Sequence, residues 1–380
     1  MTKKIFLIAG EKSGDDIGYK LMKSLINLDP SLKFLGIGGP LMSQCGLKSI
    51  FPYEDLSVMG FVEVLPKIFA LKARIKETVA DILKAKPDLI ITIDLPGFNY
   101  RVVNKLREQG YKGKIFHYVA PSVWAYKEGR AAKFAKIFDR MICILPFEEK
   151  YFQAVGLKTN YFGNPVIEQD EIAKHEPNKN ASKILVCCGS RIGEIKRLLP
   201  IFAASLDLLS TDHQFEASIL TQPSYVKLVS NLLKESRFKY KIITPKEDDK
   251  IKLMAKCDLA LTKSGTITTE IALAGVPMIV AHKVNWLSYL IIKTLIKISS
   301  ICLVNLIAGE KIIPELIQGQ CTPYKIAGGL EEYINDPVLR KAQAQQSTKI
   351  FKILGQGQKE SPSLKLARLI LKELADAPAS

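Results

Sequence analysis

The stretch Leu261–Lys283, LTKSGTITTEIALAGVPMIVAHK, leaves a chain few ways to fold. Leu259-Ala260-Leu261 reads as the end of a buried strand and Ser264-Gly265-Thr266 as a small-residue turn, followed by a helix that carries Glu270. Either Thr266 or Thr268 supplies the hydroxyl that caps this helix. Gly275-Val276-Pro277 stops it before Met278-Ile279-Val280-Ala281, an apolar run suited to the middle of a parallel sheet. Strand, turn, helix and strand make a βαβ unit. Its helix opens at the carboxyl edge of the sheet, where backbone N–H groups and the helix dipole favour phosphate. Glu270, near the first turn, is placed to accept hydrogen bonds from sugar hydroxyls. The plainer alternative is an ordinary βαβ unit whose Ser and Thr only cap.

The same alternation runs through the whole chain. Lys3 to Ala9 is a strand that meets Gly10-Glu11-Lys12-Ser13-Gly14-Asp15, and a helix is expected from Ile17 to Asn27. Two glycines after a first strand suit a nucleotide, although the full G-x-G-x-x-G is missing. Lys33 to Ile37 runs into Gly38-Gly39-Pro40, so two glycine turns share one sheet end and imply a crevice there. Pro87 to Ile93 ends at Asp94-Leu95-Pro96-Gly97-Phe98-Asn99. A carboxylate at a strand's carboxyl end is where α/β enzymes keep catalytic groups, and Asp94 otherwise caps the next helix. Lys114 to Val119 leads into the aromatic loop Ala120-Pro121-Ser122-Val123-Trp124-Ala125-Tyr126, expected to line a pocket.

Strands at Asp139 to Leu145 and Thr159 to Phe162 close the first domain, with a hinge at Gly163-Asn164-Pro165-Val166 and a polar linker from Gln169 to Ser182. The pattern restarts at Ile184 to Cys188, followed by Gly189-Ser190-Arg191, which offers N–H groups, a hydroxyl and a guanidinium fork to phosphate. Strands near Glu216 to Leu220 and Lys241 to Ile243 come next, and helices from Pro323 and from Pro337 finish the chain. The expected fold class is α/β, two Rossmann-like domains facing a central cleft.

Phe61 to Arg74 is apolar at 61, 62, 64, 65, 68, 69 and 71, with Lys67, Lys72 and Arg74 interleaved and Lys76 just beyond. One helical face cannot hold so many apolar side chains. Either the helix is buried nearly all round or part of it meets something greasy. No apolar run reaches the roughly 20 residues a spanning helix needs. The richest, Trp286 to Leu306, is broken by Lys293 and Lys297, and Lys3 to Ala9 is too short for a signal peptide, so a cytoplasmic protein is expected.

Lys plus Arg number 54 against 38 Asp plus Glu, a net charge of +16 that draws anionic lipid, phosphorylated substrates or nucleic acid. No nucleic-acid-binding signature accompanies it. The 7 cysteines form no C-x-x-C, so neither zinc nor a disulfide framework is expected, and Cys187-Cys188 reads as packed thiol.

Taken together the motifs resemble the lipid-A-disaccharide synthases, inverting glycosyltransferases of GT-B architecture. They are AGEKSGD at 9–15, GIGGPLM at 36–42, LSVMGFVEVL at 56–65, IDLPGFN at 93–99 and YVAPSVWAY at 118–126. LPFE at 145–148, GSRIGEI at 189–195, KSGTITTE at 263–270, GVPM at 275–278, and NLIAGE with PELIQ within 305–318 complete the set. The resemblance implies transfer of 2,3-diacylglucosamine from UDP to 2,3-diacylglucosamine 1-phosphate, forming the β-1,6 disaccharide 1-phosphate of lipid A. It also implies acylated sugar substrates, an anionic inner-membrane surface beside a cytoplasmic, peripheral enzyme, and a homodimer built through the C-terminal helices. Nucleic acid is not expected as a partner.

The domains expected are 1–165 for the acceptor and membrane, 166–345 for the UDP-sugar, and 346–380 as helices that pack back or dimerise. Asp94 is the expected base, with Glu11 and Glu63 behind it and Arg191 as the charge that meets the leaving UDP. Gly189, Ser190, Arg191, Ser264, Gly265, Thr266, Glu270, Asn305 and Gln318 are the expected UDP residues. Ser13, Met59, Asn99, Ser122 and Trp124 are expected in the acceptor cleft; Val62, Val64, Leu65, Ile68, Leu71 and Lys72 on the membrane. No metal or other cofactor is expected. The chain departs from the family at Gly97, where a carboxylate is usual, at Cys187-Cys188 and Val304, where prolines are usual, and at Gly163-Asn164-Pro165, where Gly-His is more usual. The alternatives are an epimerase or hydrolase of UDP-amino sugars on the same fold, or a non-catalytic lipid- or nucleotide-binding protein.

Overall fold

The computed structural model describes residues 2–56, 64–126, 128–168, 181–244, 247–285, 289 and 300–376, with backbone alone at 64–68 and 247–248. The chain divides into two compact units, residues 1–168 with 357–380, and residues 169–356.

In the first unit the elements run β1 (Lys4–Ala9), α1 (Lys12–Leu28), β2 (Lys33–Ile37), α2 (Pro40–Gln44), α3 (Val64–Ala85), β3 (Leu89–Ile93), α4 (Pro96–Glu108) and β4 (Lys114–Tyr118). Then come α5 (Arg130–Ala135), β5 (Arg140–Cys143), α6 (Glu149–Gln153) and β6 (Thr159–Tyr161). The six strands pair in parallel in the order β2-β1-β3-β4-β5-β6. Helical crossovers cover both faces, so strand residues of either parity must be apolar. On β1, Phe6 and Ile8 enter one core layer with α3 and α4, while Ile5 and Leu7 enter the other with α1. Helix α1 starts at Lys12, earlier than its sequence suggests, so Ser13, Gly14 and Asp15 form its first turn. A Cβ on Gly14 would stand 3.4 Å from that of Ala9, and the bare glycine lets the turn lie against β1.

The second unit contains β7 (Lys183–Cys187), α7 (Ile192–Leu209), β8 (Glu216–Leu220), α8 (Val226–Leu233), β9 (Lys239–Ile243), α9 (Glu247–Met254), β10 (Leu259–Thr262) and α10 (Ile267–Leu273). It continues through β11 (Met278–His282), α11 (Leu303–Ala308), β12 (Glu315–Ile317), α12 (Pro323–Asn335) and α13 (Pro337–Ile353). Its parallel order, β12-β11-β10-β7-β8-β9, is that of a dinucleotide-binding sheet.

The boundary expected at 345 falls inside α13. Gln343 of that helix accepts from Met278 N at 2.6 Å and donates to Met278 O at 3.1 Å, tying it to the first residue of β11. Only α14 (Pro362–Ala375) returns to the first unit. There Leu366, Ala367, Ile370 and Leu374 are buried in the α1 layer, each Leu or Ile worth roughly 1.5–3 kcal/mol. Glu373 fixes the angle of α14 by binding Lys114 and Arg140, both at 2.6 Å. Those hydrogen bonds, Lys114's foremost, hold its carboxyl below the usual range.

His117 sits in the middle of β4 with no exposure, its Nδ1 2.7 Å from Thr92 Oγ1 and its ring against the stacked pair Phe134 and Phe138. Burial lowers its pKa from 6.5 to about 3. Between those values an unfolded chain binds a proton here that the folded chain refuses. This contribution to stability is therefore complete above pH 6.5 and declines as pH falls, at about 1.4 kcal/mol per unit. Urea midpoints should drop between pH 7 and pH 5, and His117→Phe should flatten that drop. An equal drop in the variant would mean that His117 takes no part in it.

Candidate active site

In each parallel sheet the strand order reverses beside the first strand, and ligands bind at the carboxyl ends flanking that reversal. For the first unit the flanking strands are β1 and β3, which end at Gly10-Glu11 and at Asp94-Leu95. The two candidate bases therefore open on one crevice. Side chains crowd the strand end there: a Cβ on Gly10 would stand 2.5 Å from Leu95 Cδ2.

Asp94 and Leu95 both take left-handed φ, 52° and 46°. On the neighbouring strand end Val119 has φ 73°, a costly value for a β-branched residue. Such conformations cost about 1–3 kcal/mol each and survive where the surroundings impose them. The imposing contacts are visible. Asp94 N donates to Tyr118 O at 2.8 Å, and Asn99 Nδ2 donates to Asp94 O at 2.6 Å. The N-cap position of α4 falls on Leu95, so Asp94 is not the formal cap of that helix.

Asn99 does not line a cleft: it has no exposure, and its amide supports the Asp94 backbone from below. Ser13 lies half-buried in the first turn of α1, and Ser122 is exposed on the loop after β4. Trp124 donates from Nε1 to Glu148 Oε1 at 3.2 Å. Asp15 serves the fold. It is 2% exposed and accepts from the N–H groups of Gly39, Leu41 and Met42, which caps α2 from another helix.

Met59, Val62 and Glu63 lie outside the described residues, as do the side chains of Val64, Leu65 and Ile68. Leu71 packs against the core of the first unit and is withdrawn from the proposed docking face. Phe69, at 68% exposed, stands outward instead, with Lys72 Nζ 5.9 Å from its ring. Arg74 is engaged by Asp55 at 2.5 Å and Glu77 at 2.7 Å.

For the second unit the reversal lies between β7 and β10. Gly189 has φ 121°, and a Cβ there would run into the Glu194 side chain, 2.4 Å from Oε2. Only glycine fits. Glu194 Oε2 accepts from Ser190 N at 3.2 Å, and its Oε1 holds Lys263 Nζ at 2.8 Å with Arg191 Nη1 at 3.8 Å. Lys263 N in turn donates to Cys187 O at 2.8 Å across the two strand ends. Arg191 of the turn and Lys263 after β10 thus place two cations around the Glu194 carboxylate. Beside them burial, with help from Lys263, pushes His282 down to about 4, so its ring is neutral at pH 7. Sequence reasoning missed Glu194 and Lys263. A glutamate at the third position of a helix was the available signal for the first.

Of the other expected UDP residues, Ser264, Glu270, Asn305 and Gln318 bond within the unit. Ser264 Oγ donates to Ile301 O at 2.6 Å. Gly265 is half-buried and Thr266 is exposed. No side chain caps α10: Thr268 and Thr269 bond the carbonyls of Gly265 and Thr266, correcting the expected cap. Glu270 is ion-paired with Lys250 of α9. Asn305 is 2% exposed, with Nδ2 on Ile313 O and Oδ1 accepting from the N–H groups of Ile312 and Ile313. Its capacity is used within the fold, and the expectation that it meets UDP is withdrawn. Gln318 clamps Val284 through both N–H and C=O, at 3.1 and 3.0 Å. Glu315 accepts from Ser300 Oγ, Ile301 N and Cys302 N, securing the start of α11. Among the described residues no group of three or more His, Cys, Asp or Glu gathers where it could hold a metal.

Residues 5–369 match the family model described as Lipid-A-disaccharide synthetase. A lipid-A-disaccharide synthase of Rickettsia bellii (strain OSU 85-389) is 43% identical over 382 residues, covering 98% of this chain and 99% of its own. Among solved structures, S. aureus MnaA with UDP superposes with TM-score 0.68 at 14% identity, covering 100% of both chains. Acinetobacter baumannii MurG gives 0.56 at 14% identity, covering 97% of this chain and 99% of its own. At such low identity these two establish a shared GT-B fold. The match over 5–369 and the full-length identity establish more: the chain belongs to the lipid-A-disaccharide synthase family.

Proposed function

We propose that the chain performs its family's reaction through residues at the two crevices. The acceptor 6-hydroxyl of 2,3-diacylglucosamine 1-phosphate attacks the anomeric carbon of UDP-2,3-diacylglucosamine. UDP leaves, and the new β-1,6 bond has inverted configuration. Asp94 takes the hydroxyl proton, and Arg191 with Lys263 meets the charge that grows on the departing diphosphate. No metal takes part in this reading. The observation that carries it is the family match over residues 5–369. Purified protein given both acylated sugars in EDTA should release UDP and disaccharide 1-phosphate in equal amounts. UDP-sugar epimerised or hydrolysed without acceptor would overturn the reading.

Membrane attachment belongs to the same proposal, because both substrates carry acyl chains. Among the described residues no helix is long and apolar enough to cross a membrane. Phe69, Lys72 and Lys76 are exposed at helical spacing on one face of α3, an aromatic followed by two cations. Each cation near an anionic surface contributes about 1 kcal/mol. Phe69→Ser with Lys72→Ser and Lys76→Ser should leave the melting temperature unchanged and reduce flotation with phosphatidylglycerol vesicles at least tenfold. Undiminished flotation would remove this face from the proposal.

A further inference from the structure

One buried carboxylate joins the loops that follow β4 and β5. Glu148 is 2% exposed, and each of its oxygens has a distinct duty. Oε2 accepts from Ile144 N at 3.2 Å and Leu145 N at 3.1 Å, which anchors the group to the β5 loop. Oε1 accepts from Trp124 Nε1 at 3.2 Å, reaching across to the β4 loop. An indole N–H only donates, so its partner must present a lone pair. The indole also stands edge-on to Phe147, ring centres 5.2 Å apart, and that second contact leaves the hydrogen bond to fix its rotation. The β4 loop departs through the strained Val119, so its course depends on contacts made further along.

We propose that Glu148 is a positioning residue for the acceptor. Without touching substrate, it holds the Trp124 indole and the loop 120–126 in the orientation that seats the acceptor sugar. This rests on reading Trp124 as an acceptor-pocket residue.

The contact has a pH signature. Burial pushes the Glu148 carboxyl up to about 7. Of the titratable groups facing it, Cys143 at the end of β5 and Tyr161 on β6 are pushed far upward by burial and stay neutral near pH 7. Glu149 and Lys150 stand beside it on α6, and α5, packed on α6, carries Arg130 and Lys133. Above pH 7 the ionised carboxylate accepts from all three N–H groups. Below it, a proton on Oε1 removes the charge and one lone pair, weakening the bond it accepts from the indole.

The chain has 2 tryptophans, so Trp286→Phe leaves Trp124 as the sole indole fluorophore. Its emission should change between pH 5.5 and 8.5 with a midpoint near 7. Adding Glu148→Gln, whose amide offers N–H to the indole, should abolish that transition. It should also raise acceptor KM about tenfold, leaving donor KM unmoved. Trp124→Phe keeps a ring and deletes the N–H, so its acceptor KM should lose pH dependence even if Glu148→Gln fails to fold. A flat emission profile in the Trp286→Phe parent, or equal rises in both KM values, would overturn the proposal. So would a midpoint near 7 in the Trp286→Phe parent, abolished by Glu148→Gln, with acceptor KM unchanged in both variants; the fault would then lie in the reading of Trp124, not in the Glu148 contact.

Discussion

Asp94→Asn should fold, bind UDP and lose two to four orders of magnitude in turnover, about the contribution of a positioned general base. Folding should survive because the unusual backbone is held by main-chain and Asn99 contacts: Asp94 N on Tyr118 O, and Asn99 Nδ2 on Asp94 O. Neither involves the carboxylate. Asparagine also tolerates left-handed φ better than most residues, so the 52° at this position adds no new strain. What disappears is an ionised oxygen able to take a proton. Glu11 opens on the same crevice from β1 and is the nearest competitor. Single-turnover rates with both acylated sugars separate the two. If Asp94→Asn turns over normally while Glu11→Gln is inactive, the base is Glu11. Melting curves of both variants guard against reading an unfolded protein as a catalytic loss.

The strands were legible because parallel strands covered on both faces are apolar at nearly every position. KIFLIA and LIITI carry that demand openly, and all of LIITI is buried. The crevices were legible for a related reason. Glycine and small hydroxyl residues cluster where a side chain presses on the turn, as Leu95 presses on Gly10 and Glu194 on Gly189. Which polar side chain serves a ligand and which serves a loop was not legible. Irregular backbone must satisfy its own N–H and C=O groups. Gln318 and Ser264 do that for segments far away in sequence and Asn305 for the nearby Ile312 and Ile313, yet all have the composition of UDP ligands. The partners of Glu194 and Glu148 were hidden likewise, since Lys263 and Trp124 meet them only after the sheets form. On α3, apolar residues on several faces leave the helical phase ambiguous in sequence, and it is Leu71 that packs inward while Phe69 projects. The return of α14 to the first unit depends on packing against α1 and on Glu373, neither of which has a local sequence signal.

Arg191→Ala should lower kcat/KM by two to three orders of magnitude, the usual loss when a donor to developing transition-state charge is removed. The structure favours a functional origin for that loss. The Gly189 turn is held by Glu194 accepting from Ser190 N, and Arg191 contributes only its backbone to the start of α7. Its side chain is 46% exposed and its guanidinium 3.8 Å from Glu194, a loose pair beside the 2.8 Å contact of Lys263. A pair so exposed adds little to stability, so the melting temperature should barely move. Lys263 is held more tightly, and freeing it for a diphosphate means breaking its contact with Glu194. Arg191 is therefore the more available charge, and its planar fork suits two phosphate oxygens at once. Arg191→Lys should recover only part of the rate, because a point charge replaces a two-pronged donor. Calorimetry with UDP alone divides the loss. A modest fall in UDP affinity beside a large fall in kcat assigns the contact to the transition state. Near-native turnover in Arg191→Ala would remove this residue from the departure of UDP and leave Lys263 to be tested in its place.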